Sequence, residues 1–193
     1  LPLAIELAAG QVAQRGLAGL SGEIEAMLAG DGRLASLSSS DPTRNPRHIT
    51  IEATIAWGHR LLTPRQQEVL RRLAVFRGSF GLQEARAVAC GPDEPDDVVD
   101  VIWSLVRRSM IANQPPLDGA PRLRLRLPIR AFAQERLAEA GESAAVRARH
   151  TAVYRDLATR RAPALFGPDE DITLRVLEAD HDNFRAALAH LLE

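Results

Sequence analysis

The sequence predicts a mainly α-helical chain that carries one β-hairpin. Three observations lead there. Apolar residues recur at three- and four-residue spacing along most of the length. Thr63-Pro64-Arg65-Gln66 is the signature of a helix start. A Pro/Gly-rich turn precedes the strict alternation Arg122-Leu123-Arg124-Leu125-Arg126-Leu127, which is the two-residue period of a strand.

The elements follow in order. The chain opens on Leu1-Pro2-Leu3-Ala4-Ile5-Glu6-Leu7, without Met and already inside an apolar helical pattern, so these residues are expected to belong to a longer protein. A helix over 2–15 fits Leu3, Leu7, Ala8 and Val12, with Pro2 in the first turn, where its missing N–H costs nothing. A second, capped by Ser21, runs to Leu28, and a polar Gly/Ser/Asp/Pro stretch to Asn45-Pro46 reads as a linker. Helices are then expected over 49–62, from Pro64 to about Phe76, over 82–89, and from Pro95-Asp96-Asp97 through Val106. Met110–Gln114 and Arg122–Leu127 form the hairpin around Pro115–Gly119. Three short helices followed by a two-stranded ribbon are the parts of a winged helix. Pro128 opens another helix, closed by Gly141, and from Glu142 the pattern is wholly helical, with Asp182 as a natural cap for the last helix. A helical pair with an apolar face reads as the first unit of a helical array.

Composition excludes several classes of function. The 193 residues are enough to bury a core, and the single cysteine, Cys90, rules out an internal disulfide framework and fits a reducing cytoplasm. No secretory signal or uninterrupted membrane-length apolar run is found. Net charge is −1 and every one of the 24 cationic side chains is arginine, so there is no general basic excess for nucleic acid, no Schiff-base lysine and no P-loop lysine. The five histidines lack metal-ligand spacing, and no nucleophile–base or paired-carboxylate set stands out, so no catalytic centre is expected.

Leu1-Pro2-Leu3-Ala4, Ala53-Thr54-Ile55-Ala56-Trp57, Leu61-Leu62-Thr63-Pro64, Leu70-Arg71-Arg72-Leu73-Ala74-Val75-Phe76, Ile129-Arg130-Ala131-Phe132-Ala133 and Leu177-Glu178-Ala179-Asp180-His181-Asp182-Asn183-Phe184 occur in sequence. Together they resemble the STAND, or NB-ARC-like, ATPases that regulate bacterial transcription, of the LuxR or SARP type. The resemblance implies three parts: 1–45 as the end of a helical ATPase subdomain, 46–141 as the winged helix, and 142–193 as the start of TPR-like repeats. It also implies that ATP or ADP with Mg²⁺ is held by an upstream P-loop domain in cis. Pro2 would pack on the adenine. Arg126, at the position of a family histidine, would face phosphate, although the family's Met-His-Asp triplet reads Leu125-Arg126-Leu127 here.

The resulting expectation is a lid and signal-transmission segment of a nucleotide-switched regulator, with an effector or protein partner on the repeats and DNA bound by a separate domain. Asp93, Glu94, Asp96 and Asp97 sit at the start of the would-be recognition helix, and four carboxylates there oppose a polyanionic duplex. Two alternatives stay open: an independent winged-helix DNA-binding regulator and a nucleotide-independent scaffold. Trp57 and Trp103 are expected in the core. The three alternating arginines read as a solvated face, with a phosphate or acidic-partner stripe as the sharper possibility.

Overall fold

The computed structural model describes residues 46–91 and 97–192; for 46–50 only the backbone is described. The expectations for the first 45 residues, Pro2 included, and for Asp93, Glu94 and Asp96 lie outside these residues. The chain runs α1 (Pro46–Arg60), α2 (Pro64–Leu73), β1 (Ser79–Gly81), α3 (Leu82–Ala89), α4 (Val98–Arg107), β2 (Ala112–Leu117), β3 (Ala120–Arg124), α5 (Leu127–Glu139), α6 (Ser143–Arg161), a 3₁₀ turn over Ala162–Phe166, α7 (Glu170–Ala179) and α8 (His181–Leu191). The chain is mainly helical, and α2 through β3 form a winged helix.

α2 begins as its sequence dictates. Thr63 Oγ1 accepts the Gln66 N–H at 3.2 Å, the Gln66 side chain accepts the Thr63 N–H at 2.9 Å, and Pro64 needs no acceptor. Gln66 is buried, and its Nε2 donates to Ser104 Oγ at 2.7 Å, so the cap of α2 also fixes α4. At the other end of α2, Arg71 and Arg72 both bond Glu142, at the turn into α6, and Arg72 Nη1 donates to the Ala89 carbonyl at 2.9 Å. Hydrogen bonds from Arg72 and Arg71 hold the Glu142 carboxyl below its usual range, although burial alone would raise it.

The sheet has three antiparallel strands in the order β1-β3-β2. β1 is absent from the sequence reading, which treats Ser79-Phe80 as a tight connection; three residues are too few to show alternation. The wing strands also extend closer to the turn than the periodicity suggests. Asp118 (φ 48°) and Gly119 (φ 79°) both take positive φ, as the two-residue primed turn of a hairpin requires. Pro115 and Pro116 therefore lie within β2, which tolerates them because it is an edge strand, and the pairing is irregular between Gln114 and Leu117.

Leu127 departs from the expected buried row. Leu123 and Leu125 are buried, but α5 starts at Leu127 with Pro128 in its first turn, and the Leu127 side chain is 69% exposed. Trp57 is buried as expected, whereas Trp103 is only partly buried against the core.

One continuous core joins the winged helix to the helices after it. Phe76 and Phe80 stack at 4.3 Å, Phe76 meets His150 edge-on at 5.2 Å, and Tyr154 meets Phe184 at 5.2 Å. Val146, Tyr154, Leu157 and Ala187 are buried in the same cluster as Leu73, Ile102 and Leu123. Burying side chains of this size stabilises by roughly 1.5–3 kcal/mol each, so α6 and α8 are structural parts of this body. α7, α8 and the residue after it also leave Ile172, Leu174, Leu188, Leu191 and Leu192 exposed.

Candidate functional site

The strand alternation predicts that Arg122, Arg124 and Arg126 share one face, but the structure sends them to three destinations. Arg122 turns inward, to 7% exposure, and its Nη1 and Nη2 donate to the Asp180 carboxylate at 2.9 and 3.0 Å. Nη2 also reaches Ser79 Oγ at 2.9 Å. Arg124 is exposed. Arg126 is half-buried at the N-cap of α5, where its carbonyl accepts the Arg130 N–H at 2.9 Å.

Asp180 is 1% exposed and receives two further donors: Tyr154 Oη at 3.0 Å and Asn183 Nδ2 at 3.3 Å. A buried carboxylate is costly unless paired and hydrogen-bonded, and here guanidinium, phenol and amide groups surround it. Burial, with the Asp180 charge next in effect, pushes the Tyr154 phenol well above its ordinary range, so it remains a donor. In the sequence, Asp180-His181-Asp182 looks like a helix start capped by Asp182. The structure corrects this: α8 begins at His181, Asp180 occupies the cap, and its side chain faces the wing. Asp182 lies in the first turn.

Asn183 completes the junction. Its Oδ1 accepts the Arg77 N–H at 2.6 Å and its Nδ2 donates to the Ser79 carbonyl at 2.8 Å. The buried amide thus satisfies backbone groups on both sides of Gly78, tying the entry to β1 to α8. Sequence reasoning misses Arg122, Asp180, Tyr154 and Asn183 as a group. The alternation of three arginines with leucines gives no sign that Arg122 alone is buried.

The surfaces that a winged helix offers to DNA have a different character. On α4 only Asp100 and Arg107 are exposed, one of each sign, with Val99, Val101, Trp103 and Val106 half-buried around them. Asp97, just before α4, is held by Arg65 at 3.0 Å. The wing tip over 115–121 has no cation, and Asp118 is tethered to Arg175 of α7 at 2.9 Å. No group of three His, Cys, Asp or Glu side chains able to hold a metal converges among the described residues. No helix among them is long and apolar enough to cross a membrane.

The arrangement α2-β1-α3-α4-β2-β3 defines a winged-helix domain, and residues 62–138 match the winged helix-turn-helix domain family. Across 98% of its length the chain is 37% identical to the protein named "Putative HTH-type transcriptional regulator Rv0890c" of Mycobacterium tuberculosis (strain ATCC 25618 / H37Rv), and it covers 20% of that protein. A "Putative HTH-type transcriptional regulator Mb0914c" of Mycobacterium bovis shows the same identity and coverage. The "Uncharacterized protein Rv0894" of M. tuberculosis is 32% identical over 78% of this chain, which spans 37% of it. The chain thus spans about a fifth of the length of the regulators it resembles. No solved structure matches it.

Proposed function

We propose that this chain is the winged-helix and helical section of an HTH-type transcriptional regulator, and that it transmits a signal within the protein while another domain reads DNA. The observation that carries this reading is the buried Arg122–Asp180 junction, which holds the wing against the helices that follow. A DNA-reading wing has to offer its strands and tip to phosphates. Here Arg122 of the central strand is spent internally, the tip has no cation, and Arg124 is the one exposed arginine left on that strand. The exposed leucines of α7 and α8 give further helices a surface on which to continue as an array.

In the finer form of this reading the section is the lid of an ATP/ADP switch. The resemblance puts nucleotide and Mg²⁺ in an upstream domain, with Pro2 on the adenine and Arg126 toward phosphate. Arg126 fits such a role chemically, since it stands at the start of α5, where its guanidinium and the positive end of the helix dipole both favour an anion. Bound nucleotide supplies the free-energy difference between the closed and open arrangements, and it does so only through unequal affinity for the two.

Fluorescence anisotropy with duplex DNA at low salt tests the first part: weak binding without a steep salt dependence is expected. For the second part, ADP at 100 times its dissociation constant should stabilise the intact regulator by about 2.7 kcal/mol, less so in Arg126→Ala. A second reading, direct duplex binding by this winged helix, is favoured by the match of residues 62–138 and by the names of the similar regulators. Tight, salt-sensitive duplex binding would establish it and remove the first.

A further inference from the structure

A cleft of about 740 Å³ opens among α5, α6 and α8 beside the end of β3, and neither Arg122 nor Asp180 lines it. Five arginines line it, each from a different part of the fold: Arg77 between α2 and β1, Arg124 at the end of β3, Arg130 in α5, Arg147 in α6 and Arg185 in α8. Asp182 is the single carboxylate in the lining. In a chain whose net charge is −1, such a concentration of one sign is local and strong.

Most of these cations are uncompensated. Among the described residues, the side chains of Arg77, Arg124, Arg130 and Arg185 have no ion-pair or hydrogen-bond partner, and the buried Nε of Arg130 is left without an acceptor. Four guanidinium groups gathered at one cleft without a carboxylate partner make a local positive field that an anion arriving from outside would neutralise. Burial, with the neighbouring Arg77 and Arg124 charges adding to it and Asp182 only partly opposing, disfavours the charged form of Arg130, a cost that a bound anion would relieve.

We propose that this cleft is a binding site for a small polyphosphate anion. Guanidinium forks match phosphate oxygens geometrically, and a di- or triphosphate group concentrates several negative charges in a volume that a pocket of this size accepts. An acidic peptide brings one charge per side chain and matches the density less well. A DNA duplex would present phosphates only at the rim of the concavity. Arg126 does not line the cleft, so this site and the expected nucleotide contact at the start of α5 are separate.

Inorganic tripolyphosphate titrated calorimetrically into the protein tests the proposal. Saturable binding is expected, weakened about a hundredfold in Arg124→Gln/Arg130→Gln, since each of the two lost charge-assisted contacts is worth about a factor of ten. Arg124→Gln/Arg185→Gln, with both positions exposed, gives a variant whose folding is not at stake and should show the same loss. Arg107→Gln on α4, outside the cleft, should bind normally. Absence of saturable binding overturns the site, and so does an equal loss in Arg107→Gln, which would mark general charge attraction. A short duplex that binds through the same arginines while tripolyphosphate does not would also overturn it, in favour of nucleic-acid phosphates. Arg126→Ala should leave tripolyphosphate binding intact, so failure here leaves the nucleotide-switch reading untouched.

Discussion

Arg122 in the central strand of the wing and Asp180 at the start of α8, 58 positions apart in the sequence, form a two-pronged ion pair that is almost completely buried. Its energetics are asymmetric. Desolvating both charges offsets much of their attraction, so the intact pair contributes little net stability, whereas removing one partner strands the other in an apolar setting.

Asp180→Ala and Arg122→Ala are therefore each expected to destabilise by about 3–5 kcal/mol. The double variant should cost much less than their sum, as in any closely coupled pair. Denaturant unfolding of the four proteins measures this. Additive losses would mean that the two side chains do not act on each other, and the transmission role given to the junction would lose its basis.

Asn183 is expected to matter nearly as much, although it carries no charge. Asn183→Ala leaves the Arg77 N–H and the Ser79 carbonyl without their partner in a buried position, at about 1–3 kcal/mol for each group left unsatisfied. Asn183→Asp keeps the acceptor for Arg77 but loses the donor to Ser79 and puts a second carboxylate beside Asp180, so it should be no milder than alanine. Amide hydrogen exchange at Arg77 reads the effect locally. Unchanged protection there in Asn183→Ala would contradict the clamp.

Local chemistry was legible in the sequence, and long-range chemistry was not. The Thr63–Gln66 capping box, the Gly141 cap and the hairpin each depend on residues within a few positions of one another, and each forms. β1 exists because β3 pairs with it and Asn183 donates to the Ser79 carbonyl from 104 positions away. The alternation correctly identified a strand at Arg122 and Arg124, but the strand ends there with Arg126 capping α5, and the burial of Arg122 depends on where α8 packs. The arginine cleft has no sequence signature, because each of its five cations comes from a separate element in a chain that uses arginine for every cation.

Two glycines separate backbone demand from mere presence. Gly141 ends α5 at φ +71°, with open space where a Cβ would sit, so Gly141→Ala should cost about 1–2 kcal/mol from the left-handed backbone alone. Gly167 is also unobstructed, but its φ of −138° is accessible to any residue. Gly167→Ala should be neutral or stabilise by up to about 1 kcal/mol through the unfolded chain. Thermal unfolding of the two variants compares them directly; equal losses would refute the distinction.

Acid should weaken the junction from the side of α6. His150 is buried against the Phe76 and Tyr154 rings, and its pKa falls to about 4, chiefly through burial, with the Asn183 side chain opposing, the Arg77 charge adding and Asp180 opposing. A histidine whose folded pKa lies below its unfolded value of about 6.5 makes the unfolded chain the better proton binder. Its contribution is therefore fully present above about pH 6.5 and is lost as pH falls toward 4, amounting to about 3 kcal/mol at the lower end. His59, lowered to about 4 mainly by burial and then by Arg136 and Arg71, acts with the same sign in the same window. Glu142, held below its usual range, adds its loss at still lower pH as protonation releases Arg71 and Arg72. Stability measured by denaturant between pH 7 and pH 4 should thus decline steadily. His150→Gln should start lower at pH 7 but decline less, because the group that takes up the proton is gone. A decline as steep as in the unmodified protein would assign the acid sensitivity to other groups and leave the buried histidine as packing alone.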